Sequence, residues 1–499
     1  MDIQYSISFL IFSAGLLFFI IKQFTSIDTN KNLPPQPWKL PILGHLHHLV
    51  GSQPHRALGN LAKKLGPIVH LQLGEISAIV ISSPYFAKEI LKNHDISFAN
   101  RPKLLSAEIV AYNYTDVAFS PYGDYWRQMR KICVLELLSA KKVQSFRSLR
   151  EQESWNLIES MAVEGSISVN LSERVLTMVN TLMCKVAVGS RYKDPVTFIA
   201  LIEEALHLAS GFDVSDLFPS SKLLPLVTST RRKLIKVRNK MDKILDDIIS
   251  DHQERRTGIQ INHENEDVLD VLLRLQNDGG LEFQITYDNI KAVILDMFGA
   301  GTDTSSVTII WAMSELMKNP KVMKKAQTEI REVLKGKKKI HESDIQELEY
   351  LKLVIKETLR LHPPLPLLLP RECREKCEIG RYEIPIKTKV IINSWKLGRD
   401  PDYWVDPECF VPERFGESSV NMMGTEFEYL PFGSGRRMCP GMTLGLANLE
   451  LPLAMLLYHF NWKLPNEETP EEFDMTDSFG ATLKRKNDLF LVPCPCKTN

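Results

Sequence analysis

Phe432-Gly433-Ser434-Gly435-Arg436-Arg437-Met438-Cys439-Pro440-Gly441 sets one cysteine in a glycine-bracketed loop, two residues from an arginine and directly before a proline. Leu444, Leu446, Leu449, Leu451 and Leu453 follow in quick succession, so a helix is expected to open just past the loop. Gly435 and Gly441 let the backbone approach a flat cofactor, or turn, without a Cβ penalty. Donor amides aimed at Cys439, and the positive end of the following helix, would hold its sulfur as thiolate. An anionic sulfur at a tight turn, with an arginine beside it for a carboxylate, suits the proximal ligand of a haem iron. A structural cysteine half-buried in a turn is the alternative for any lone cysteine. The spacing argues against it.

Upstream, residues 288–318 read as the longest helix, stopped by Asn319-Pro320. Ile290, Val293, Ile294, Met297 and Phe298 recur at three and four and give it one buried face. Ala300-Gly301-Thr302-Asp303-Thr304-Ser305 interrupts that face with small and polar groups. Thr304 is expected to bond a carbonyl one turn back and widen the turn. Glu357-Thr358-Leu359-Arg360 falls on a second amphipathic helix, with Leu348, Leu351, Val354 and Ile355 on its apolar side. Glu357 and Arg360 are three apart and meet on one face; alone, such a pair is an ordinary surface ion pair of little worth.

The 499 residues are 44 % hydrophobic, with 61 Lys+Arg against 61 Asp+Glu. A large core is therefore possible, and no bulk nucleic-acid signal exists. The other cysteines are scattered, unlike a small secreted disulfide framework, and Cys373-x-x-x-Cys377 has no histidine pair to complete a zinc site. Ile3 to Ile21 carries no charge and is just long enough to cross a hydrocarbon core of ~30 Å. Lys22, Lys31 and Lys39 follow it, so the positive-inside rule places the bulk of the protein in the cytosol. A cleaved signal peptide, the competing reading, carries its basic residues before the apolar run. The sequons at Asn113 and Asn170 would then stay unmodified. Leu33-Pro34-Pro35-Gln36-Pro37-Trp38-Lys39-Leu40-Pro41 is a stiff extended connector. Strand-like text lies at 68–73 and 78–81; beyond about residue 85 the chain reads mainly helical, with an exposed loop around Arg255 to Asp267.

Phe-x-x-Gly-x-Arg-x-Cys-x-Gly, the Ala300–Ser305 stretch, Glu357-x-x-Arg360 and Trp126-x-x-x-Arg130 together resemble the cytochrome P-450 family over the whole chain. Leu40–Leu49, Asp296–Ser305 and Tyr429–Phe432 bring it nearest to a plant microsomal branch that includes germacrene, amorphadiene and premnaspirodiene oxidases. Alkaloid, diterpene and flavonoid hydroxylases belong to the same branch. The resemblance implies a mainly α fold with a small β region: residues 1–22 as transmembrane anchor, 23–44 as proline-rich hinge, and 45–499 as one large haem-thiolate domain.

Haem b would be held by Cys439, its propionates by Trp126, Arg130, Arg371 and Arg437, and its loop shaped by Phe432, Gly435 and Gly441. Asp303 and Thr304 would relay protons for oxygen activation. Glu357 and Arg360 would join Arg414, of Pro412-Glu413-Arg414-Phe415, in a buried network that pins the haem loop. Ala111, Ile294, Met297, Ala300, Leu368 and Phe479 would line an apolar pocket for a small lipophilic substrate, most naturally a sesquiterpene or other terpenoid.

Electrons would come from NADPH through a separate flavoprotein reductase, with cytochrome b5 as a further donor, because no dinucleotide or flavin motif is present. Arg127, Lys131 and Arg436 would offer that partner a basic surface. The implied location is the endoplasmic reticulum membrane, single-pass, with the catalytic domain cytosolic. Two rivals stand beside the monooxygenase reading. A peroxide-rearranging relative typically lacks the acid–alcohol pair, and a non-catalytic haem carrier or sensor has no use for Asp303-Thr304.

Overall fold

Two packed parts place the cavity at the centre of the protein, in a computed structural model that describes residues 32–496 apart from 166, 190–193, 210–212, 222–223, 225–227, 259–265, 338 and 417. The 1–22 anchor lies outside the described residues. One stretch, Pro195–Leu217, which includes 210–212 outside the described residues, is long and apolar enough to cross a membrane by length and composition. In its helix Pro195–Ala209, one face, with Phe198, Leu201, Ile202 and Ala205, is buried in the main core.

The β part begins with strands β1 (Ile68–Leu73) and β2 (Ile76–Ile81), antiparallel with Ile68 opposite Ile81. Strand β3 (Arg371–Glu372) is the far edge, and β4 (Lys389–Ile392) pairs antiparallel with it and parallel with β2, in the order β1-β2-β4-β3. The proline connector lies along β1, with the His70 amide donating to Pro35 O at 2.9 Å.

Five helices matter for the site: α1 (Asp124–Ile132), α2 (Leu171–Val188), α3 (Tyr287–Lys318), α4 (Glu349–Leu361) and α5 (Met442–His459). At the start of α3, Thr286 Oγ1 accepts from the Asn289 amide while Asn289 Oδ1 accepts from the Thr286 amide, a reciprocal cap that settles two otherwise orphan donors. At its end Pro320 has no N–H to continue the ladder. α3 packs against α2, α4 and α5, so most of its length is buried. The threonine-rich stretch does not break it. Thr304 Oγ1 donates to Ala300 O at 2.6 Å as expected, yet the helix stays α throughout, because that carbonyl is shared rather than lost.

Of the Arg255–Asp267 stretch, expected as an exposed loop, 259–265 lie outside the described residues and the two ends are structured. Helix Ser229–Gly258 runs through Arg255, and Asp267 is a buried cap that receives the Asp270 amide at 2.8 Å.

Candidate active site

The cysteine loop is built by backbone bonds and one glycine without substitute. The Cys439 amide donates to Phe432 O at 2.9 Å and the Met438 amide to Gly435 O at 3.0 Å, closing a tight turn that α5 continues. Gly435 has φ +70°, and a Cβ there would meet Leu91 O at 2.4 Å and the Asp95 carboxylate at 2.8 Å. Its freedom thus serves a close approach of protein to protein, not of protein to cofactor. Asp95 stitches the loop down, accepting from the Arg436 amide at 2.8 Å and from Arg371 Nη1 at 2.8 Å.

Cys439 faces a cavity of about 270 Å³ between the loop and α3. Its sulfur is accessible only through that cavity, deep in the protein. Burial raises the thiol's pKa, opposed by the Gly441 amide and by Arg130. Desolvation thus works against the amides that favour the thiolate. A bound metal ion is what deprotonates a coordinating thiol outright. Cys133 also lines the cavity, but full burial and the nearby Asp296 push its thiol up to about 12, and no glycine loop frames it.

One edge of the cavity is cationic. Arg130, Arg371 and Arg437 line it, and so does Arg101, which no motif in the sequence singles out. All but Arg130 are held by carbonyls: Arg101 by Ala118 at 2.9 Å and by Leu369 at 2.7 Å, Arg371 by Ser434 at 2.6 Å, Arg437 by Ser120 at 2.6 Å and Ala99 at 2.8 Å. Trp126 stands behind them: its indole N–H donates to Val117 O at 3.1 Å, and the Arg437 guanidinium lies 4.2 Å over its ring. Desolvation lowers the pKa of each arginine; mutual repulsion adds to this for Arg101, Arg371 and Arg437. Three buried guanidiniums and the half-buried Arg130 at one edge call for a bound anion, and one soft sulfur donor in the same cavity calls for a soft metal centre. Haem, an iron macrocycle with two carboxylates on one edge, meets both demands.

The distal wall is apolar: Val293, Met297 and Ala300 from α3, Leu365, Leu368 and Leu369 from the turn before β3. Leu368 holds a left-handed φ of 50°, a conformation costly for a branched side chain and kept only where its surroundings demand it. Of the expected pocket residues, Met297, Ala300 and Leu368 line the cavity, whereas Ala111, Ile294 and Phe479 are not among its described lining residues. Ile294 is buried in the main core, and the Phe479 ring lies 6.0 Å from that of His55.

Thr304 lines the cavity, whereas Asp303 turns from it toward strands β5 (Asp477–Phe479) and β6 (Leu483–Arg485). Its carboxylate accepts from Thr482 Oγ1 and pairs with Lys484 Nζ, both at 2.5 Å. Lys484 is half exposed, so the acid is linked to solvent.

Behind the site, Glu357 receives Arg360 through two bonds of 2.7 and 2.8 Å, Arg414 Nε at 2.9 Å and the Val411 amide at 2.8 Å. Arg360 spends its other N–H groups on the carbonyls of Gly398, Pro407 and Cys409. The network directly pins residues 398–414; Tyr429, whose hydroxyl donates to Lys356 O at 2.8 Å, carries the connection on toward the cysteine loop.

A cavity fit for cysteine-ligated haem in a mainly helical fold, with a largely apolar distal wall, defines a haem-thiolate oxygenase. The chain belongs to the cytochrome P450 family: the family profile matches residues 34–492. It is similar to germacrene A hydroxylase of Barnadesia spinosa (56 % identical, covering 97 % of each chain) and premnaspirodiene oxygenase of Hyoscyamus muticus (56 %, 96 % of each). It also resembles desmethyl-deoxy-podophyllotoxin synthase of Sinopodophyllum hexandrum (55 %, 96 % of this chain and 94 % of the relative). A solved zebra fish cytochrome P450 structure with progesterone has the same fold, with a TM-score of 0.78 and 25 % identity over 89 % of this chain and 100 % of that one. The protein is a haem-containing monooxygenase.

Proposed function

We propose that the protein oxidises an uncharged terpenoid, most naturally a sesquiterpene hydrocarbon, using O2 and electrons from NADPH. The apolar distal wall carries this reading. Every cation that lines the cavity sits at the haem edge, the lining acid Asp296 is already taken up by the Val117 amide, and a charged substrate would be buried there without a free partner, at a cost of several kcal/mol. The germacrene and premnaspirodiene oxidases support the same class. A neutral non-terpenoid of similar size is the second reading, favoured by the podophyllotoxin-type relative. Titrating the purified protein with sesquiterpene hydrocarbons should shift its haem spin state. A shift with a cationic alkaloid and none with the hydrocarbons would overturn the terpenoid assignment.

Bound haem supplies oxygen activation when reduced by a partner. The chain's own groups position and protonate. The cavity wall excludes water and holds the substrate by shape, and Thr304 keeps a hydroxyl inside the cavity through its bond to Ala300 O. Asp303 holds a proton acceptor at the inner end of a path that begins at the exposed Lys484 ammonium, with Thr482 fixing the carboxylate. Delivery from that path to Thr304 runs through water. A positioned proton donor is worth roughly 10²–10⁴-fold in rate. Thr304→Ala should therefore keep haem and substrate binding but divert NADPH electrons to hydrogen peroxide, and Asp303→Asn should slow turnover by roughly 10²-fold. Wild-type coupling in Thr304→Ala would leave its hydroxyl with a structural role only.

Arg127, Lys131 and Arg436 are exposed and supply a basic face for an acidic flavoprotein reductase, with cytochrome b5 as a second donor. Residues 1–22 anchor the chain in the endoplasmic reticulum membrane and 23–44 hold the cytosolic domain, 45–499, at a set angle to it. Deleting 1–22 should release much of the protein from membranes with its haem spectrum intact; an N-terminus found cleaved in the native protein would contradict the anchor.

A further inference from the structure

Two carboxyl groups that the reaction does not use face each other at the cavity, Asp116 buried and Asp296 half-buried. Asp296 lies on α3, one turn before Ala300, and lines the cavity; Asp116 comes from the segment before α1. Asp296 Oδ2 accepts the Val117 amide at 2.7 Å and the carboxylate also receives the Ala118 amide; Asp116 Oδ2 accepts the Phe119 amide at 2.9 Å. Asp116 is 1 % exposed, its Oδ1 finds no N–H or O–H donor, and its side chain lies within hydrogen-bonding reach of the Asp296 carboxyl. Two acceptor oxygens in contact repel each other unless one carries a proton.

The carbonyls of the same segment point the other way. Val117 O accepts from Trp126 and, at 3.3 Å, from Arg437; Ala118 O holds Arg101; Ser120 O holds Arg437. Thus the amides of 117–119 rest on the acid pair while carbonyls of 117, 118 and 120 carry the arginine edge of the haem site. The segment is entered through Tyr112, Asn113 and Tyr114, all at left-handed φ values of 49°, 61° and 62°. Three successive non-glycine residues in that region persist only where their surroundings over-determine them.

We propose that Asp116 and Asp296 share a single proton, and that this carboxyl–carboxylate bond is the latch that holds segment 116–120 against α3 and thereby positions Arg101 and Arg437 for the haem carboxylates. The charge count agrees. The four cavity arginines carry four positive charges, Asp95 returns one, and a singly ionised pair returns another. Two remain, matching the two carboxylates of haem. Arg101 and Arg437 face Asp116 and favour its ionised form, whereas Tyr125 and Cys133 face Asp296 and offer no cation. The proton therefore resides on Asp296, whose pKa burial and Asp116 raise well above the usual carboxylate range.

The test uses the full-length protein in lipid nanodiscs, with infrared difference spectroscopy and haem retention against an apomyoglobin acceptor. The wild type should show the C=O stretch of a protonated buried carboxyl, and Asp296→Asn should abolish it. Because an amide N–H replaces the shared proton, Asp296→Asn should keep haem retention within about twofold of wild type, whereas Asp296→Ala should lose haem roughly tenfold faster or more. Persistence of the band in Asp296→Asn would overturn the proposal. So would haem loss from Asp296→Asn as fast as from Asp296→Ala, which would mean that both carboxylates are ionised. Unchanged retention in Asp296→Ala would show that the pair positions nothing.

Discussion

Cys439→Ser is expected to abolish the red-shifted carbon monoxide band of the reduced protein while leaving the fold in place. The neutral hydroxyl cannot donate to iron as a thiolate does, but serine is smaller than cysteine and keeps the amide bond to Phe432 O, so the loop itself need not move. Haem would still be held by the arginine edge, and the spectrum would change from that of a thiolate complex to that of a weak oxygen ligand. The same change at Cys377, in the hairpin beyond β3, should leave the band alone. Cys133→Ser sharpens the test, because Cys133 is a second cysteine on the same cavity. Retention of the band in Cys439→Ser with loss in Cys133→Ser would reverse the ligand assignment.

Glu357→Gln should cost roughly 3–5 kcal/mol, the range for breaking a buried ion pair by removing one partner. Both Glu357 and Arg360 have side-chain exposure of 0 %. Without the carboxylate, two guanidiniums lose their counter-charge; glutamine keeps Oε1 for Arg360, Arg414 and the Val411 amide, but its NH2 replaces Oε2 and faces the Arg360 Nε–H, donor against donor. Against a native stability of about 5–15 kcal/mol, that loss leaves much of the chain without haem at 37 °C. Arg360→Lys should be nearly as damaging, since one ammonium cannot serve the carboxylate and the carbonyls of Gly398, Pro407 and Cys409 in a fork geometry. Haem content after purification and the thermal midpoint measure both. A midpoint within a degree or two of wild type for Glu357→Gln would show the network to be dispensable.

The parts of the site that were legible in the sequence are those whose members are close in the chain. The Cys439 loop, the Ala300–Ser305 stretch and the Glu357/Arg360 pair each fall within ten residues, where turn chemistry and helical spacing fix relative positions. Arg101 was not legible because it sits in a loop with no periodicity, and only the fold brings it to Arg371 and Arg437. The partners of Asp303 come from β6 and the turn before it; Thr482 is 179 positions away. The pocket residues came from the family resemblance, not from periodicity: on α3 Met297 and Ala300 line the cavity, whereas Ile294 lies in the main core and is not among the lining residues. Phe479, placed by the same resemblance, lies directly opposite the buried Leu483 with its ring 6.0 Å from that of His55, and is not among the lining residues of the cavity.

The most direct test of the account is oxygen transfer itself. The full-length protein with a plant NADPH–cytochrome P450 reductase, supplied with a sesquiterpene hydrocarbon under ¹⁸O2, should yield product carrying one ¹⁸O atom, with NADPH consumption that rises on adding the hydrocarbon. Product lacking ¹⁸O, or formed equally well without NADPH, would contradict the monooxygenase mechanism at its centre.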